Sequence, residues 1–299
     1  MHLHATIVLG SAVVGLLVGM TGAGGGALMT PMLILLFGVK PSAAISSDLV
    51  AAVVMRPFGA AVHLRRGTVN LGLVGWLMVG SVPTAFLGAW LLHLLGSSSG
   101  AQSDVERALG SALLLGAAAM VVRLRLDQRR GLRRDASVGG LALRPLPTVA
   151  VGIAGGLIVG MTSVGSGSLM IVLLLCLYPT ISANRLVGTD LTQAVPLTLA
   201  AALGALAFGH VELPVTASIV VGSIPAVLVG SLLSSRAPDQ WLRPAITFVI
   251  FVSGLKYVGV PTTALGWVAG VVLLFGMLVL LRARLRVRDA AQSLAESAA

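Results

Sequence analysis

Two glycine-rich runs hold most of the residues in this sequence that could do chemistry. The first reads Gly19-Met-Thr-Gly-Ala-Gly-Gly-Gly26 and the second reads Gly160-Met-Thr-Ser-Val-Gly-Ser-Gly167. Each glycine inside a helix costs roughly 1 kcal/mol relative to alanine, so a helix that breaks at each run is predicted. The free amides and positive dipole end of the next half-helix suit an anion. Close packing of helices through small residues is the alternative explanation.

Hydroxyl groups accompany the glycines and would add hydrogen-bond donors for an anion. No Lys-Ser or Lys-Thr pair follows either run, which excludes a Walker phosphate-binding motif. The residues predicted to contact the anion at the two runs are Thr21, Gly22, Gly24, Gly25, Gly26, Thr162, Ser163, Gly165, Ser166 and Gly167.

Three charged residues lie inside long apolar runs. Asp48 and Asp190 occupy matching positions in two of these runs, and Arg56 lies about two turns beyond Asp48, beside Pro57. Charges at membrane depth are expensive and usually line a cavity or pair with one another. Arg56 is therefore predicted either to contact an anionic substrate or to form a structural ion pair. The aspartates would either couple a proton to transport or cap nearby backbone amides.

Two prolines occur at matching points of another pair of apolar runs. Pro83 and Pro225 each close a Gly-Ser-x-Pro sequence, and proline inside a helix kinks it and frees a carbonyl group. A packing kink and a hinge both fit this pattern, and both prolines are hinge candidates.

The single cysteine, Cys176, cannot form an internal disulfide. With no histidine and acidic cluster in the sequence, we expect no cofactor, no metal and no enzymatic activity.

The elements that must position these residues follow from the composition. Of the 299 residues, 57% are hydrophobic and 10% are charged, whereas a soluble protein carries about a quarter charged residues. Apolar runs of about 20 residues recur along the chain and are long enough to cross a bilayer as helices. They lack the alternation of barrel strands. Because backbone N–H and C=O groups in lipid must form their hydrogen bonds within the protein, the sequence predicts an all-α polytopic protein with the lipid bilayer as a partner.

Basic residues are concentrated beside the apolar runs. The formal net charge is +10, and arginines crowd one internal loop and the end of the last apolar run. The positive-inside rule explains this grouping as cytoplasmic anchoring, and nucleic-acid binding is not expected. The arginines are Arg123, Arg125, Arg129, Arg130, Arg133, Arg134 and Arg144 in the loop, and Arg282, Arg284, Arg286 and Arg288 at the end.

The sequence contains one unit twice. Residues 15–29 align with residues 156–170, Ser47-Asp48-Leu49 aligns with Thr189-Asp190-Leu191, and Val79-Gly-Ser-Val-Pro83 aligns with Val221-Gly-Ser-Ile-Pro225. Each unit holds apolar segments A, B, C and D in the same order. They cover residues 5–37, 42–64, 69–95 and 105–122 in the first unit, and residues 148–178, 183–208, 211–233 and 241–258 in the second.

Four regions follow from this alignment. Residues 1–122 form transmembrane repeat 1, residues 123–147 a basic cytoplasmic linker and residues 148–258 transmembrane repeat 2. Residues 259–299 are predicted to hold a final transmembrane helix, over 263–281, and a basic cytoplasmic tail.

The arginines favour an inverted repeat. If segment A turns back at its glycine break, the linker arginines and the terminal arginines both lie in the cytoplasm, whereas a single crossing by segment A puts the terminal arginines outside. Each unit then has a re-entrant hairpin plus three spanning helices. An odd number of crossings points the second unit the opposite way. The two glycine-rich tips would meet near the midplane, with the N-terminus outside and the C-terminus in the cytoplasm.

The paired glycine-rich runs resemble the signatures of the TauE/SafE sulfite exporter family, as does Val187-Gly-Thr-Asp-Leu191. The resemblance covers the chain from about residue 7 to about residue 281. The first unit departs from it at Ser46-Ser-Asp48, where the Gly-Thr pair is missing.

The resemblance implies a transporter of small anions in the inner membrane, with sulfite or an organosulfonate as substrate and alternating access around the midplane site. A passive anion channel is the alternative. The partners expected are a small anionic substrate, the lipid bilayer and, as an option, a second copy of the chain in a homodimer.

Overall fold

The computed structural model describes residues 4–21, 25–96, 101–130, 143–179, 181, 183–209, 211–233, 239–261, 263–267 and 270. These residues are mainly helical, and the β-type pairing among them is an isolated bridge between Gly165 and Gly167. The predicted all-α architecture is therefore confirmed. The helices are α1 (Ala5–Thr21), α2 (Gly26–Leu35), α3 (Pro41–Arg65), α4 (Leu71–Gly96), α5 (Ala101–Arg130), α6 (Pro145–Thr162), α7 (Leu169–Leu177), α8 (Ala183–Phe208), α9 (Leu213–Leu233) and α10 (Asp239–Tyr257).

Six helices in the described part of the chain are long and apolar enough to cross a bilayer. Several such helices in one chain are typical of a multi-pass membrane protein. The six stretches are Pro41–Arg65, Leu71–Leu95, Ser103–Arg123, Pro145–Thr162, Arg185–Phe208 and Leu213–Gly230, and shorter apolar helices cover Ala5–Met20, Gly26–Leu35 and Pro244–Tyr257.

Each predicted A segment is two helices rather than one. Segment A of the first repeat is α1 followed by α2, and segment A of the second is α6 followed by α7, with the glycine-rich runs between them. α6 has the length of a membrane span, whereas the matching helix α1 is shorter. Length alone therefore does not separate a re-entrant segment from a crossing one, and the inverted arrangement stays a prediction.

Proline and glycine mark several helix ends. α3 and α6 begin at Pro41 and Pro145, where a missing N–H costs nothing because the first amides of a helix have no intrahelical acceptor. Gly38 and Gly67 follow α2 and α3 with φ of 65° and 63°. Only glycine adopts this left-handed conformation without strain, so these two residues end the helices and turn the chain toward the next one.

The helices of each repeat pack mainly against helices of the other repeat. α1 of the first repeat packs closely on α9 of the second, and α6 of the second packs closely on α4 of the first. α3 also packs on its counterpart α8, and α5 on its counterpart α10. The core is consequently shared, and buried apolar residues of both repeats join in the same clusters.

Glycines allow the backbones of these exchanged pairs to touch. A Cβ on Gly156 of α6 would overlap the carbonyl oxygen of Ser81 in α4, and one on Gly222 of α9 would overlap the carbonyl oxygen of Val8 in α1. Small residues bring membrane helices into such contact and increase their van der Waals attraction. A Cβ on Gly80 of α4 would likewise overlap the carbonyl oxygen of Val149 in α6. The glycine of each Gly-Ser-x-Pro sequence, Gly80 or Gly222, is therefore a packing residue.

Residues 1–258 form one compact unit and residues 259–299 form a second. Within the second unit the structure describes 259–261, 263–267 and 270, with helix at 263–267. Most of the predicted final transmembrane helix and the whole basic tail lie outside the described residues. About half of the linker also lies outside them, since residues 131–142 are not described.

Candidate functional site

The two glycine-rich breaks are in direct contact. α2 begins at Gly26, directly after Gly25, while α6 ends at Thr162 and Ser163 begins the second break. A Cβ on Gly26 would overlap the carbonyl oxygen of Ser163. Gly26 therefore lets the start of α2 meet the end of α6, whereas Gly25 has open space around it. Gly22 and Gly24 lie outside the described residues, and the description of Thr21 is limited to its backbone.

The second break is held in a conformation that its glycines make accessible. Ser163 lies in the left-handed region with φ of 58°, and Gly165 and Gly167 have φ of 119° and 88°. Glycine adopts such angles without the steric cost of a Cβ. The backbone amides of this stretch consequently turn away from the regular helical path, and residues 162–168 are all buried.

Asp48 joins the two breaks through hydroxyl groups. The Oδ2 atom of Asp48 accepts hydrogen bonds from Thr30 Oγ1, at 3.0 Å, and from Ser163 Oγ, at 2.7 Å. Thr30 belongs to α2, whereas Ser163 belongs to the other repeat. Asp48 is 2% exposed, so both donors stabilise a carboxylate that is shielded from water. Among the described residues, the hydrogen bonds found for Asp48 come from two hydroxyl groups and not from backbone amides.

Asp190 has different surroundings from Asp48. The backbone N–H of Gly167 donates to its carboxylate, so the second break binds the aspartate through a peptide group. The Oδ1 atom of Asp190 is buried and has no hydrogen-bond partner among the described residues. One turn along α8, the Oε1 atom of Gln193 accepts from Ser81 Oγ at 3.0 Å, and the buried Nε2 atom has no partner in the same part of the chain.

Arg56 supplies a half-buried positive charge near both aspartates. Its guanidinium interacts electrostatically with both Asp48 and Asp190, yet within the described ranges neither carboxylate comes within the 4.0 Å of an ion pair. The Nη1 atom is buried, and no described group accepts a hydrogen bond from it. A buried donor of this kind costs free energy unless a partner arrives, so Arg56 has unused capacity to bind an acceptor.

The predicted hydroxyl groups differ in whether they are free to bind a solute. Thr162 Oγ1 donates to the backbone carbonyl of Ile158 at 2.6 Å, and Ser163 Oγ is bonded to Asp48. Ser166 is 6% exposed and lies between the two glycines of the second break. Thr162 and Ser163 therefore shape the break, while Ser166 stays a candidate for contact with a solute.

The family follows from comparison with known proteins. The family model described as "Sulfite exporter TauE/SafE" matches residues 7–257, a span that contains both breaks, both aspartates and Arg56. This chain belongs to the TauE/SafE family. The TauE/SafE proteins are membrane transporters, and the six apolar helices agree with that role.

Curated relatives support the same conclusion. The chain is 40% identical over 257 residues to the probable membrane transporter protein YjnA of Bacillus subtilis, a match that covers 86% of this chain and 100% of the relative. It is 27% identical over 258 residues to the probable membrane transporter protein YdhB of the same organism, covering 83% and 98%. A probable membrane transporter protein of Xylella fastidiosa is 30% identical over 236 residues, covering 77% and 85%. No solved structure matches this TauE/SafE chain.

The two hinge candidates lie on the outside of their helices. Pro83 and Pro225 are exposed, and α4 and α9 continue through them. The neighbouring serines of the same motif are buried. Ser81 donates to Gln193, and Ser223 donates to the carbonyl of Ile219. In this TauE/SafE protein the serine and glycine of Gly-Ser-x-Pro thus face the interior, and the hinge role of the prolines stays a prediction.

Three polar residues of the site were missed in the sequence. Thr30 and Gln193 are polar residues within long apolar segments, four residues after Gly26 and three residues after Asp190. Residues three or four apart share a helix face, and this spacing could have identified them. Arg123 was assigned to the linker, but it belongs to α5 and its Nη1 atom donates to the carbonyl of Gly167 at 3.2 Å. No sequence spacing signals that contact.

Proposed function

We propose that this TauE/SafE protein transports a small anion, sulfite or an organosulfonate, by alternating access around the junction of the two glycine-rich breaks. The observation that carries the proposal is the buried Nη1 atom of Arg56, which has no acceptor among the described residues. A sulfonate or sulfite presents several oxygen acceptors, and a guanidinium binds such oxygens in a planar, charge-assisted geometry.

Further donors add to the case for an anion. Gln193 Nε2 is a second buried donor without a described partner. The amides of Gly26 and Ala27 open α2, where a helix has no acceptor for its first N–H groups and carries partial positive charge. An oxyanion bound at this junction would be a hydrogen-bond acceptor for these groups.

Reciprocal contacts support alternating access around this junction. The N–H of Asn70 donates to Thr189 Oγ1 at 3.0 Å, and the N–H of Glu212 donates to Ser47 Oγ at 3.2 Å. In the internal alignment Asn70 matches Glu212 and Thr189 matches Ser47. The same bond therefore forms in both directions between the repeats, as expected if one repeat can exchange roles with the other during a transport cycle.

Flux measurements in proteoliposomes test the proposal. Vesicles that contain the purified protein are offered sulfite, sulfate, thiosulfate, taurine, sulfoacetate and methanesulfonate, and uptake is compared with that of protein-free vesicles. The expected result is saturable uptake of a sulfur oxyanion or sulfonate, accelerated by the same anion on the opposite side. Uptake that neither saturates nor shows this acceleration indicates a passive channel. Transport of only cations or neutral solutes would refute the proposal.

Arg56 variants locate the substrate within the protein. Arg56→Lys keeps the charge but loses the planar contacts, so transport is expected to fall about tenfold or more. Arg65→Lys is the matched control, because Arg65 is exposed at the end of the same helix. Wild-type transport by both Arg56→Lys and Arg56→Gln would show that Arg56 does not bind the substrate.

A further inference from the structure

The two aspartates match in the internal repeat, but the groups around them do not. Both hydroxyl donors of Asp48 come from residues whose counterparts near Asp190 lack a hydroxyl. Ser163 aligns with Gly22, and Thr30, which directly follows the aligned block, corresponds to Ile171. Asp48 therefore has two donors fixed by its repeat position, whereas the sequence provides Asp190 with neither of them.

We propose that Asp190 binds the proton that crosses the membrane with each anion, while Asp48 stays ionised as a structural acceptor. This inference rests on the proposed anion transport. The structure supports the division because both described donors to Asp48 reach one oxygen, Oδ2, and hydrogen bonds of this kind favour the carboxylate form. Asp190 instead has a buried Oδ1 atom without a partner in the described residues, and this is the atom that takes the proton in the proposed cycle.

The charges that face Asp190 come from two neighbouring helices. Arg56 of α3 and Arg123 of α5 both act on its carboxylate. The second break contributes the uncharged amide of Gly167, and α8 contributes the uncharged side chain of Gln193. Ser81 of α4 donates to Gln193 in turn.

Two histidines lie on the elements that pack against α8. The ring of His63, on α3, is bonded to Thr68 near Gly188, two residues before Asp190. On α4, His93 lies beside Phe208, at the opposite end of α8. In the part of the chain that the structure describes, the charged partners of the Asp190 carboxylate are therefore the two arginines.

Charge balance explains why a proton would accompany the anion. With both aspartates ionised, Arg56 and Arg123 offset Asp48 and Asp190, and the site is neutral. A bound sulfonate then adds one negative charge to a region that excludes water, where an uncompensated charge is costly. A proton on Asp190 Oδ1 restores neutrality and removes the negative charge that attracts Arg56, so that Arg56 can bind the sulfonate oxygens.

Proton counting in proteoliposomes tests this inference. Vesicles that contain the full chain and an internal pH dye receive methanesulfonate, a strong-acid anion that carries no proton itself, with the membrane potential clamped. The wild type is expected to acidify the lumen by one proton per anion and to accumulate methanesulfonate when only a pH gradient is imposed. Entry of methanesulfonate without protons, or accumulation driven by a sodium gradient instead, overturns the proton assignment and leaves anion transport standing. Failure of every sulfur anion to enter overturns both.

Two variants assign the proton to a residue. Asp190→Asn mimics the protonated side chain, so it should keep exchange of internal for external methanesulfonate but lose accumulation driven by the pH gradient. Retained exchange also shows that this variant is folded. Asp48→Asn is the matched comparison, and whatever its rate, it should still move one proton per anion. Coupling that survives in Asp190→Asn, or that is lost in Asp48→Asn instead, would contradict the assignment.

If Asp190→Asn does not fold, Asp190→Glu is measured in the same exchange and accumulation assays. Transport of one proton per anion is expected, and proton-free transport by a folded Asp190→Glu would contradict the assignment.

Discussion

The hydroxyl of Ser163 donates a hydrogen bond of 2.7 Å to the carboxylate of Asp48, although the two residues belong to different repeats. Ser163 lies in the second glycine-rich break, and Asp48 lies in α3, the second helix after the first break. Since Thr30 bonds to the same oxygen atom, one carboxylate holds the start of α2 against the end of α6. The geometry of the candidate anion site depends on this contact.

Removing the Ser163 hydroxyl should destabilise the protein. In Ser163→Ala the buried carboxylate of Asp48 loses one of its two described donors, and an underbonded buried group costs about 1–3 kcal/mol. The melting temperature of the purified protein should fall by several degrees. Ser111→Ala is the matched control, because Ser111 is exposed and bonds within its own helix to the Arg107 carbonyl. Equal melting temperatures for the two variants would show that the Ser163 bond contributes little.

A methyl group at Gly26 should separate the two breaks. In Gly26→Ala the new Cβ would overlap the backbone of Ser163, and overpacking of this kind typically costs about 1–3 kcal/mol. Gly25→Ala adds the same methyl group one residue earlier, where the structure has open space. We expect loss of anion transport and a lower melting temperature in Gly26→Ala, and near-normal values in Gly25→Ala. Wild-type transport by Gly26→Ala would mean that contact between the breaks is not needed.

Charge at position 193 should weaken anion binding. Gln193→Glu replaces a buried donor with a carboxylate beside Asp190, so at neutral pH the affinity for a sulfonate should fall about tenfold or more. Gln193→Met, of similar size and without charge, should have a smaller effect. The half-saturation concentration for transport is the measurement. A Gln193→Glu protein with unchanged half-saturation would place the anion elsewhere.

Topology can be decided by labelling from outside intact cells. The inverted arrangement puts the N-terminus outside and the C-terminus in the cytoplasm, so Ala5→Cys should react with an impermeant thiol reagent and Ala298→Cys should not. Both substitutions are made in a Cys176→Ala background, since Cys176 is exposed. Reaction of both positions from the same side would exclude a re-entrant segment A in at least one repeat.

The sequence predicted the backbone of the site better than its side-chain contacts. The glycine runs identified both helix breaks because several glycines in a helix are unfavourable wherever they occur, and the paired aspartates were visible as charges in apolar runs. The bond between Ser163 and Asp48 could not be predicted, because it depends on how α3 approaches the second repeat.

Local bonding also changes the roles of two predicted or assigned residues. Thr162 was expected to face the anion, but its hydroxyl bonds to the backbone one turn earlier. Arg123 looked like a linker residue, yet α5 extends to Arg130 and places it at Gly167. In both cases the residue type indicated a hydrogen-bonding side chain near the break or the linker. The partner of that hydrogen bond depends on the fold and could not be predicted from composition.

Binding of a sulfonate to purified wild-type protein and to Arg56→Gln is the measurement that tests the proposed site most directly. Melting temperatures are recorded with increasing concentrations of methanesulfonate and sulfoacetate, since a ligand that binds the folded state raises its apparent stability. The wild type should show a saturable rise, and a folded Arg56→Gln protein should need about tenfold more ligand or more for the same rise. The same rise at the same concentration in both proteins would contradict an anion site at the junction of the two breaks.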